Sequence, residues 1–180
     1  MESVPKEFLK SDELVTGSFA LARKIHDSGF VPDVLLVLWR GGSTVGMIIH
    51  EYFAYKGHDM FHTAIKAESY AGIEKRIAPR LDNIVPVLEK IRPGQRVLIV
   101  DDIFDTGCTV KLVSDHVREK TGDVKIATLF VRAGHNRTGL RPDYFIRETS
   151  SWIVFPHEIQ DLTPEEIRQK DPLIYSLVSG

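Results

Sequence analysis

Three carboxylates follow the most apolar segment of the chain and precede a run of small, mostly hydroxyl-bearing residues. Asp101 and Asp102 come directly after Val97–Val100, and Asp105 follows three residues later. Burying a carboxylate costs free energy unless a partner compensates for it, so a group of three indicates a site rather than a core. Their chemistry suits sugar hydroxyl groups or a metal ion such as Mg²⁺.

The next residues, Thr106–Thr109, form a candidate anion site. A pattern that predicts an amphipathic helix begins directly after this small-residue loop. Free backbone N–H groups and the positive end of the helix dipole meet in such a loop and favour a phosphate. A phosphorylated sugar with bound Mg²⁺ would use both the carboxylates and the loop. Composition alone also allows an ordinary strand-to-helix turn with an acidic rim.

The same strand–turn–helix pattern occurs earlier in the chain. An apolar run at 34–38 predicts a buried strand, and a helix is predicted from the following turn to about Lys56. The turn contains Arg40, Gly41 and Gly42. The glycines allow a ligand to approach the backbone, and the arginine adds a forked cation, so we expect a phosphate or pyrophosphate here. A plain turn between strand and helix is the alternative.

These segments require a scaffold in which strands alternate with helices. We predict strands near residues 34–38, 60–66, 97–100 and 124–131. This alternation predicts an α/β fold, with a doubly wound, mostly parallel sheet flanked by helices. Ligands bind at the carboxyl ends of the strands in such folds, and those ends carry Arg40, the aspartates and Arg132.

The C-terminal part has a different pattern. Tyr144–Ile146 and Trp152–Phe155 are short β-like runs without long helices between them, which predicts a small antiparallel appendage. We expect one domain with a core over about 12–135, a C-terminal hood subdomain over about 136–160 and a helix over 163–170. The helix begins with a capping-box sequence and a proline in its first turn.

A long polar segment, Ala67–Arg80, follows the third predicted strand. Long loops of this kind often close over a site, although an ordinary surface loop fits the composition as well. The following residues 82–91 fit either a helix or a short strand and a helical turn, because Pro86 interrupts the helical pattern.

Composition excludes several classes of protein. The chain has 180 residues, a formal net charge of −2 and one cysteine. The balanced charge argues against a nucleic-acid partner, and no apolar run is long enough for a membrane span. The single cysteine fits a reducing compartment, and no signal-peptide pattern is present, so we expect a cytoplasmic protein.

The run 97–109 resembles the phosphoribosyl-pyrophosphate signature of type I phosphoribosyltransferases. Arg40–Gly42 resembles the pyrophosphate loop of that family. Ser69 and Tyr70 resemble the Ser-Tyr pair in the mobile loop of its 6-oxopurine branch. Trp152-Ile153 resembles the base-binding hood of bacterial xanthine–guanine phosphoribosyltransferase. The resemblance to the 6-oxopurine (hypoxanthine / xanthine–guanine) enzymes therefore covers roughly residues 33–160.

This resemblance implies a purine-salvage reaction. A purine base displaces pyrophosphate from phosphoribosyl pyrophosphate and gives a nucleoside 5′-monophosphate. Asp101 and Asp102 would hold the ribose hydroxyls and help to organise Mg²⁺, while Asp105 would accept a proton from N7 of the base. The residues implied in 5′-phosphate binding are Asp105, Thr106, Gly107, Cys108 and Thr109. Those implied in pyrophosphate binding are Arg40, Gly41 and Gly42.

Base recognition is where the sequence departs from its relatives. Arg132 stands where relatives place a lysine that reads O6, and Glu158 stands where relatives have an aspartate, unless Asp161 takes that place. Trp152 would stack on the base, with Ile153 beside it, although a tryptophan in the core is an alternative. The preferred 6-oxopurine among guanine, hypoxanthine and xanthine is therefore left open.

Two further hypotheses remain at this point. Some relatives keep the fold and the donor site but act as regulators, and other relatives use adenine or a pyrimidine. The presence of Asp105 and the Ser-Tyr pair favours an enzyme. The family also implies a homo-oligomer, either a dimer or a tetramer.

Overall fold

A computed structural model of the chain describes residues 5–68, 71–72, 75–76 and 80–179. The predicted mobile-loop pair, Ser69 and Tyr70, lies outside the described residues. The chain divides into two compact units. The larger is Val15–Ser150, and the smaller combines Met1–Leu14 with Ser151–Gly180.

The described residues contain these strands: β1 (Lys6–Phe8), β2 (Val34–Trp39), β3 (Phe61–Glu68), β4 (Ala71–Gly72), β5 (Lys75–Arg76), β6 (Arg80–Asp82), β7 (Val97–Phe104), β8 (Val124–Arg132), β9 (Tyr144–Thr149) and β10 (Trp152–Val154). They contain these helices: α1 (Ser11–Asp27), α2 (Gly42–Tyr55), α3 (Ile84–Leu88), α4 (Cys108–Arg118), α5 (Pro164–Lys170) and α6 (Pro172–Val178). Within these residues, no helix combines the length and the apolar character that crossing a membrane demands.

The larger unit is built on a six-stranded sheet with the order β6-β3-β2-β7-β8-β9. All neighbouring strands are parallel except β6, which is antiparallel to β3. The chain leaves β2 towards β3 on one side and leaves β7 towards β8 on the other. The predicted doubly wound, mostly parallel α/β fold is confirmed.

The segments Val34–Leu38 of β2 and Val97–Val100 of β7 are apolar throughout, as suits strands that helices cover on both faces of the sheet. On one face, Ile99 packs in the same cluster as Val110 and Val113 of α4. On the other face, Val37 lies against Gly46 of α2 so closely that a Cβ on the glycine would overlap with it. The sheet is therefore a buried layer, and polar side chains at its carboxyl edge are the exception.

Two local predictions gain detail in the structure. The ambiguous segment 82–91 contains the five-residue helix α3, which includes Pro86, and strand β6 reaches this segment only with Asp82. Strand β7 continues to Phe104, four residues beyond its predicted end. Asp101 and Asp102 therefore lie within strand β7, beside β8, rather than in a loop after the strand.

The predicted antiparallel appendage at the C-terminus is wrong. Strand β9 pairs in parallel with β8 and completes the main sheet, so the predicted hood range 136–160 contains a strand of the core sheet. Strand β10 pairs in parallel with β1, whose register joins Glu7 to Ile153. Local sequence patterns do not reveal this pairing, because the two partners are separated by nearly the whole chain.

The smaller unit contains the predicted capping box. The Thr163 side chain accepts from the Glu166 backbone N–H, and the Glu166 carboxylate accepts from the Thr163 backbone N–H. Helix α5 accordingly begins at Pro164 and ends at Lys170. Helix α6 was not predicted, and the Asp171 carboxylate caps it by accepting from two backbone N–H groups.

Candidate active site

The centre of the sheet opens at its carboxyl edge. Strands β2 and β7 pair only as far as Val37 and Val100. Beyond these residues β2 continues beside β3, and β7 continues beside β8. The connections also leave these two strands in opposite directions, which makes this the switch point of the fold, where ligands bind in open α/β sheets.

The turn after β2 lies directly against the end of β7. A Cβ on Gly42 would stand 2.6 Å from the carbonyl oxygen of Val100. A Cβ on Gly41 would overlap with the Asp102 carboxylate, with 2.6 Å to its Oδ1. The pair of glycines thus lets the predicted pyrophosphate turn reach the acidic residues, while the Arg40 side chain of the same turn is exposed.

The two adjacent carboxylates are held by backbone donors. The Asp102 N–H donates to Asp101 Oδ1 over 3.0 Å, and the Ile103 N–H donates to Asp102 Oδ1 over 2.7 Å. The Gly42 N–H, in the first turn of α2, also donates to the Asp101 carboxylate. Burial raises the pKa of the Asp101 carboxyl well above its usual value, and the neighbouring Asp102 carboxylate raises it further.

The predicted phosphate loop begins helix α4. Gly107 precedes the helix with a positive φ of 76°, a backbone conformation that favours glycine. No side chain caps this helix end, while the Cys108 N–H makes only a long contact of 3.4 Å to Thr106 Oγ1. A Cβ on Gly107 would overlap with the Phe104 ring and stand 2.7 Å from Thr138 Oγ1. The remaining N–H groups of this turn are available to an anion.

One cavity of about 200 Å³ joins the acidic residues to this loop. It is lined by Asp101, Asp102, Ile103, Phe104, Asp105, Thr106, Gly107, Thr109 and Val110. Six of the predicted site residues therefore share a single cavity. Cys108 is half-buried but is not one of the lining residues.

The Asp105 carboxylate lies within ion-pair distance of two side chains at the end of β8 and in the turn after it. Its Oδ1 lies 3.5 Å from Nη1 of Arg132 and 3.3 Å from Nδ1 of His135. The Arg132 side chain is 6% exposed, whereas that of His135 is 45% exposed. The structure therefore brings Arg132 to the acidic cluster as predicted, and it adds His135, which the sequence reading missed. No sequence signal marks His135, which the structure places in the turn after β8.

The other predicted base-binding residues belong to the smaller unit. Trp152 is half exposed, whereas Ile153 is buried. The Glu158 carboxylate accepts a hydrogen bond of 3.0 Å from the backbone N–H of Phe155, and its own carbonyl oxygen accepts from Lys170. Glu158 thus has a structural partner within its own unit, and its role in reading a base stays a prediction.

The binding of Mg²⁺ by the acidic residues stays a prediction. Among the described residues, no three His, Cys, Asp or Glu side chains are grouped so that they could hold a metal. Magnesium is commonly bound by one or two carboxylates together with substrate phosphates, and Asp101 and Asp102 supply the carboxylates.

A match that covers most of the chain decides its family. A phosphoribosyl transferase domain is matched over residues 6–162. The chain belongs to this family. The predicted resemblance to the type I phosphoribosyltransferases is confirmed, and the cavity at the end of β7 lies within the matched range of the phosphoribosyltransferase domain.

Solved structures support the same assignment. The purine phosphoribosyltransferase of Pyrococcus horikoshii is 29% identical, with a TM-score of 0.69, over 88% of this chain and 97% of that one. The xanthine–guanine–hypoxanthine phosphoribosyltransferase of Helicobacter pylori shares the fold, with a TM-score of 0.68 at 20% identity over 97% and 99% of the two chains.

Two curated relatives match this chain over a short segment. The adenine phosphoribosyltransferase of Streptococcus uberis is 47% identical over 51 residues, which are 28% of this chain and 29% of that protein. The chain spans about a quarter of the length of the curated relatives that it matches.

Proposed function

We propose that the chain transfers the phosphoribosyl group of phosphoribosyl pyrophosphate to a 6-oxopurine base. Hypoxanthine, guanine and xanthine are the candidate acceptors, and the products are pyrophosphate and a nucleoside 5′-monophosphate. The observation that carries this proposal is the single cavity in which Asp101, Asp102 and Asp105 meet the uncapped first turn of α4. Membership of the phosphoribosyl transferase family supplies the reaction class.

The donor side of the reaction needs an anion site at each end of the sugar. The first turn of α4 offers N–H groups and a dipole to the 5′-phosphate. The Arg40–Gly42 turn lies on the opposite side of the switch point, with its backbone against Asp102. In the proposed complex this turn binds the leaving pyrophosphate, and Asp101 and Asp102 bind the ribose hydroxyls between the two anion sites.

The charge that develops during transfer explains why these groups are needed. The sugar C1 gains positive character as a highly charged pyrophosphate leaves. Donors and cations fixed at the place where negative charge accumulates lower the barrier, because they need little reorganisation. Mg²⁺ would supply charge compensation on the pyrophosphate when bound, and Asp101 and Asp102 would hold it together with the substrate oxygens.

The base side of the reaction requires a proton acceptor. Asp105 lines the same cavity and has a partly exposed side chain. In the proposed complex it accepts the proton that the purine loses as the new C–N bond forms. Trp152, Ile153 and Glu158 are proposed to contact the base, and Ser69-Tyr70 to belong to a loop that excludes water from the reacting sugar.

Adenine is the second candidate acceptor. The local identity of 47% to the Streptococcus uberis adenine phosphoribosyltransferase favours it. The purine enzyme of Pyrococcus horikoshii, which is 29% identical, favours a purine without distinguishing its 6-substituent. A site that reads O6 by hydrogen bonding discriminates strongly against a base that lacks it, so a direct comparison separates the two candidates.

The test is a panel of acceptors. The protein is incubated with phosphoribosyl pyrophosphate, Mg²⁺ and one of hypoxanthine, guanine, xanthine, adenine, orotate or uracil, and the nucleotide product is identified by mass spectrometry. We expect a nucleoside monophosphate with at least one 6-oxopurine. A product with adenine alone would select the second candidate. Donor binding without any product would favour a regulator that uses the same fold.

A further inference from the structure

We propose that Arg132 and His135 are positioning residues that hold one oxygen of the Asp105 carboxylate and leave the other oxygen for the substrate. The contact itself is independent of the reaction, but its catalytic meaning rests on the proposed function. Arg132 then acts through Asp105 instead of reading the purine directly.

The register of the sheet brings Arg132 to Asp105. Strands β7 and β8 are parallel, and Phe104 is the register partner of Val131. The residues that follow, Asp105 and Arg132, are therefore at the same level, where neighbouring side chains of parallel strands lie next to each other. Pairing of β8 with β9 continues to Arg132 and Thr149, so the backbone that carries the guanidinium is fixed on its other side.

Burial makes this contact more than a surface ion pair. The Arg132 side chain is 6% exposed, and Asp105 Oδ1 is buried without a hydrogen-bond partner among the described residues, so the attraction at this oxygen is between charges. The Asp105 side chain as a whole is 37% exposed, so its accessible surface lies away from Oδ1. Charges that are shielded from water interact more strongly than exposed ones, which favours a fixed orientation of the carboxylate.

A tight turn brings His135 to the same oxygen. Gly134, two residues beyond the end of β8, has a positive φ of 76° and lies in a turn. The Arg137 N–H then donates to the Thr106 carbonyl oxygen over 2.9 Å, which fixes the turn on the segment that follows Asp105. As a result, His135 Nδ1 lies 3.3 Å from Oδ1. Two nitrogen-bearing side chains from one strand end therefore meet the same carboxylate oxygen.

A carboxylate held in this way is oriented before the base arrives. Rotation about the last side-chain bond would otherwise exchange its two oxygens, and a misplaced proton acceptor lowers turnover more than it lowers binding. Arg132 opposes this rotation because its guanidinium attracts Oδ1, and a protonated His135 ring adds to that attraction. Asp105 lines the cavity together with Thr106 and Gly107, where a substrate would meet it.

The contact can be tested without any assay of activity. In protein labelled with ¹⁵N at arginine and histidine, Asp105→Asn is expected to shift the Arg132 guanidinium and His135 ring signals. Asp115→Asn is the matched control, because this exposed carboxylate pairs with Lys111 on α4. Unmoved Arg132 and His135 signals in Asp105→Asn would overturn the proposal, whatever the protein does as an enzyme.

Kinetics of Arg132→Gln and His135→Ala test the catalytic meaning. We expect kcat to fall by about tenfold or more in Arg132→Gln and by about threefold in His135→Ala, with the KM for the donor changed by less than about threefold. The ratio of kcat/KM between guanine and hypoxanthine should stay the same in both variants. Arg141→Gln removes an exposed arginine–glutamate pair of the same unit and is expected to leave all three quantities unchanged.

The outcomes separate the two proposals. A changed preference between bases, with kcat retained in Arg132→Gln, would mean that Arg132 reads the base and would overturn its positioning role. An inactive wild-type protein whose Arg132 signals respond to Asp105→Asn would keep the contact and reject the proposed function. If Arg132→Gln does not fold, the exposed His135 and the spectra of Asp105→Asn still decide the question.

Discussion

The backbone of Gly41 lies so close to the Asp102 carboxylate that a methyl group on Gly41 would overlap with it. This contact joins the predicted pyrophosphate turn to the predicted ribose-binding residue across the gap between β2 and β7. The Asp102 side chain is 7% exposed and its Oδ1 accepts from the Ile103 N–H, so little room is left for it to move.

Gly41→Ala is therefore expected to weaken donor binding. The residue has φ −59° and ψ −45°, which alanine adopts without strain, so the effect comes from the overlap with Asp102 alone. We expect the affinity for phosphoribosyl pyrophosphate to fall by about tenfold or more and the free energy of unfolding by about 1 kcal/mol. Calorimetric titration and urea denaturation measure the two effects. Gly122→Ala, at a position with open space, is the matched control, and an unchanged donor affinity in Gly41→Ala would contradict the account.

Gly107→Ala is expected to destabilise the phosphate loop in two ways. A positive φ costs an alanine about 1–2 kcal/mol, and overlap with Phe104 and Thr138 adds about 1–3 kcal/mol. Gly94→Ala separates the two causes, because Gly94 has a φ of 82° with open space around it. Denaturation should show a loss about twice as large for Gly107→Ala as for Gly94→Ala. Equal losses would mean that the contact with Phe104 and Thr138 carries no energy.

Asp101→Asn is expected to stabilise the fold while weakening the site. Because the pKa of Asp101 is higher in the folded chain than in the unfolded one, the folded state keeps this proton to higher pH. The contribution of Asp101 to stability is therefore greatest below the unfolded pKa of about 4 and is lost as the pH rises through the folded value. At pH 7 the asparagine variant should be more stable by about 1–2 kcal/mol, and the difference should shrink towards pH 4.

Urea denaturation across pH 4–8 measures this difference between wild type and Asp101→Asn. Asp59→Asn, a change at an exposed aspartate, is the control and should show no such trend. A wild-type protein that is as stable as Asp101→Asn at pH 7 would argue against the burial cost assigned to this carboxylate.

Removal of Mg²⁺ is expected to stop turnover without unfolding the chain. Charge compensation by a divalent ion contributes several kcal/mol to such reactions, so EDTA should lower the rate by at least about a hundredfold. The described residues hold no three-ligand metal group, so the melting temperature of the ligand-free protein should not change with EDTA. Calcium or magnesium added back after dialysis distinguishes a specific requirement for Mg²⁺ from a general effect of charge. A melting temperature that falls with EDTA would indicate a resident structural ion.

Much of the fold could be predicted because its signals are local. The all-apolar run Val97–Val100 indicates a strand covered on both faces, and the glycine turns after β2 and β7 mark helix starts. The pairing of β1 with β10 was not predictable, because three-residue strands carry no periodicity and their partners are far apart in sequence. The parallel position of β9 was missed for a different reason, because its edge location leaves half of its side chains exposed and its pattern resembles that of an antiparallel strand.

The candidate site was predictable in its residue types but not in its contacts. The aspartates, the glycine turns and Arg132 stand out because charge and small size are unusual at the ends of buried strands. The link between Asp105 and Arg132 depends on the exact register of β7 and β8, which composition does not reveal. His135 depends on the turn at Gly134, so no pattern in the sequence marks it as a neighbour of Asp105.

The most direct test of the account is a paired measurement on Asp105→Asn. The central claim is that the cavity at the end of β7 performs the transfer and that Asp105 accepts the proton of the purine. We expect kcat to fall by about a hundredfold or more while the Kd for phosphoribosyl pyrophosphate changes by less than about threefold. Retained turnover, or equal losses in kcat and donor affinity, would contradict it.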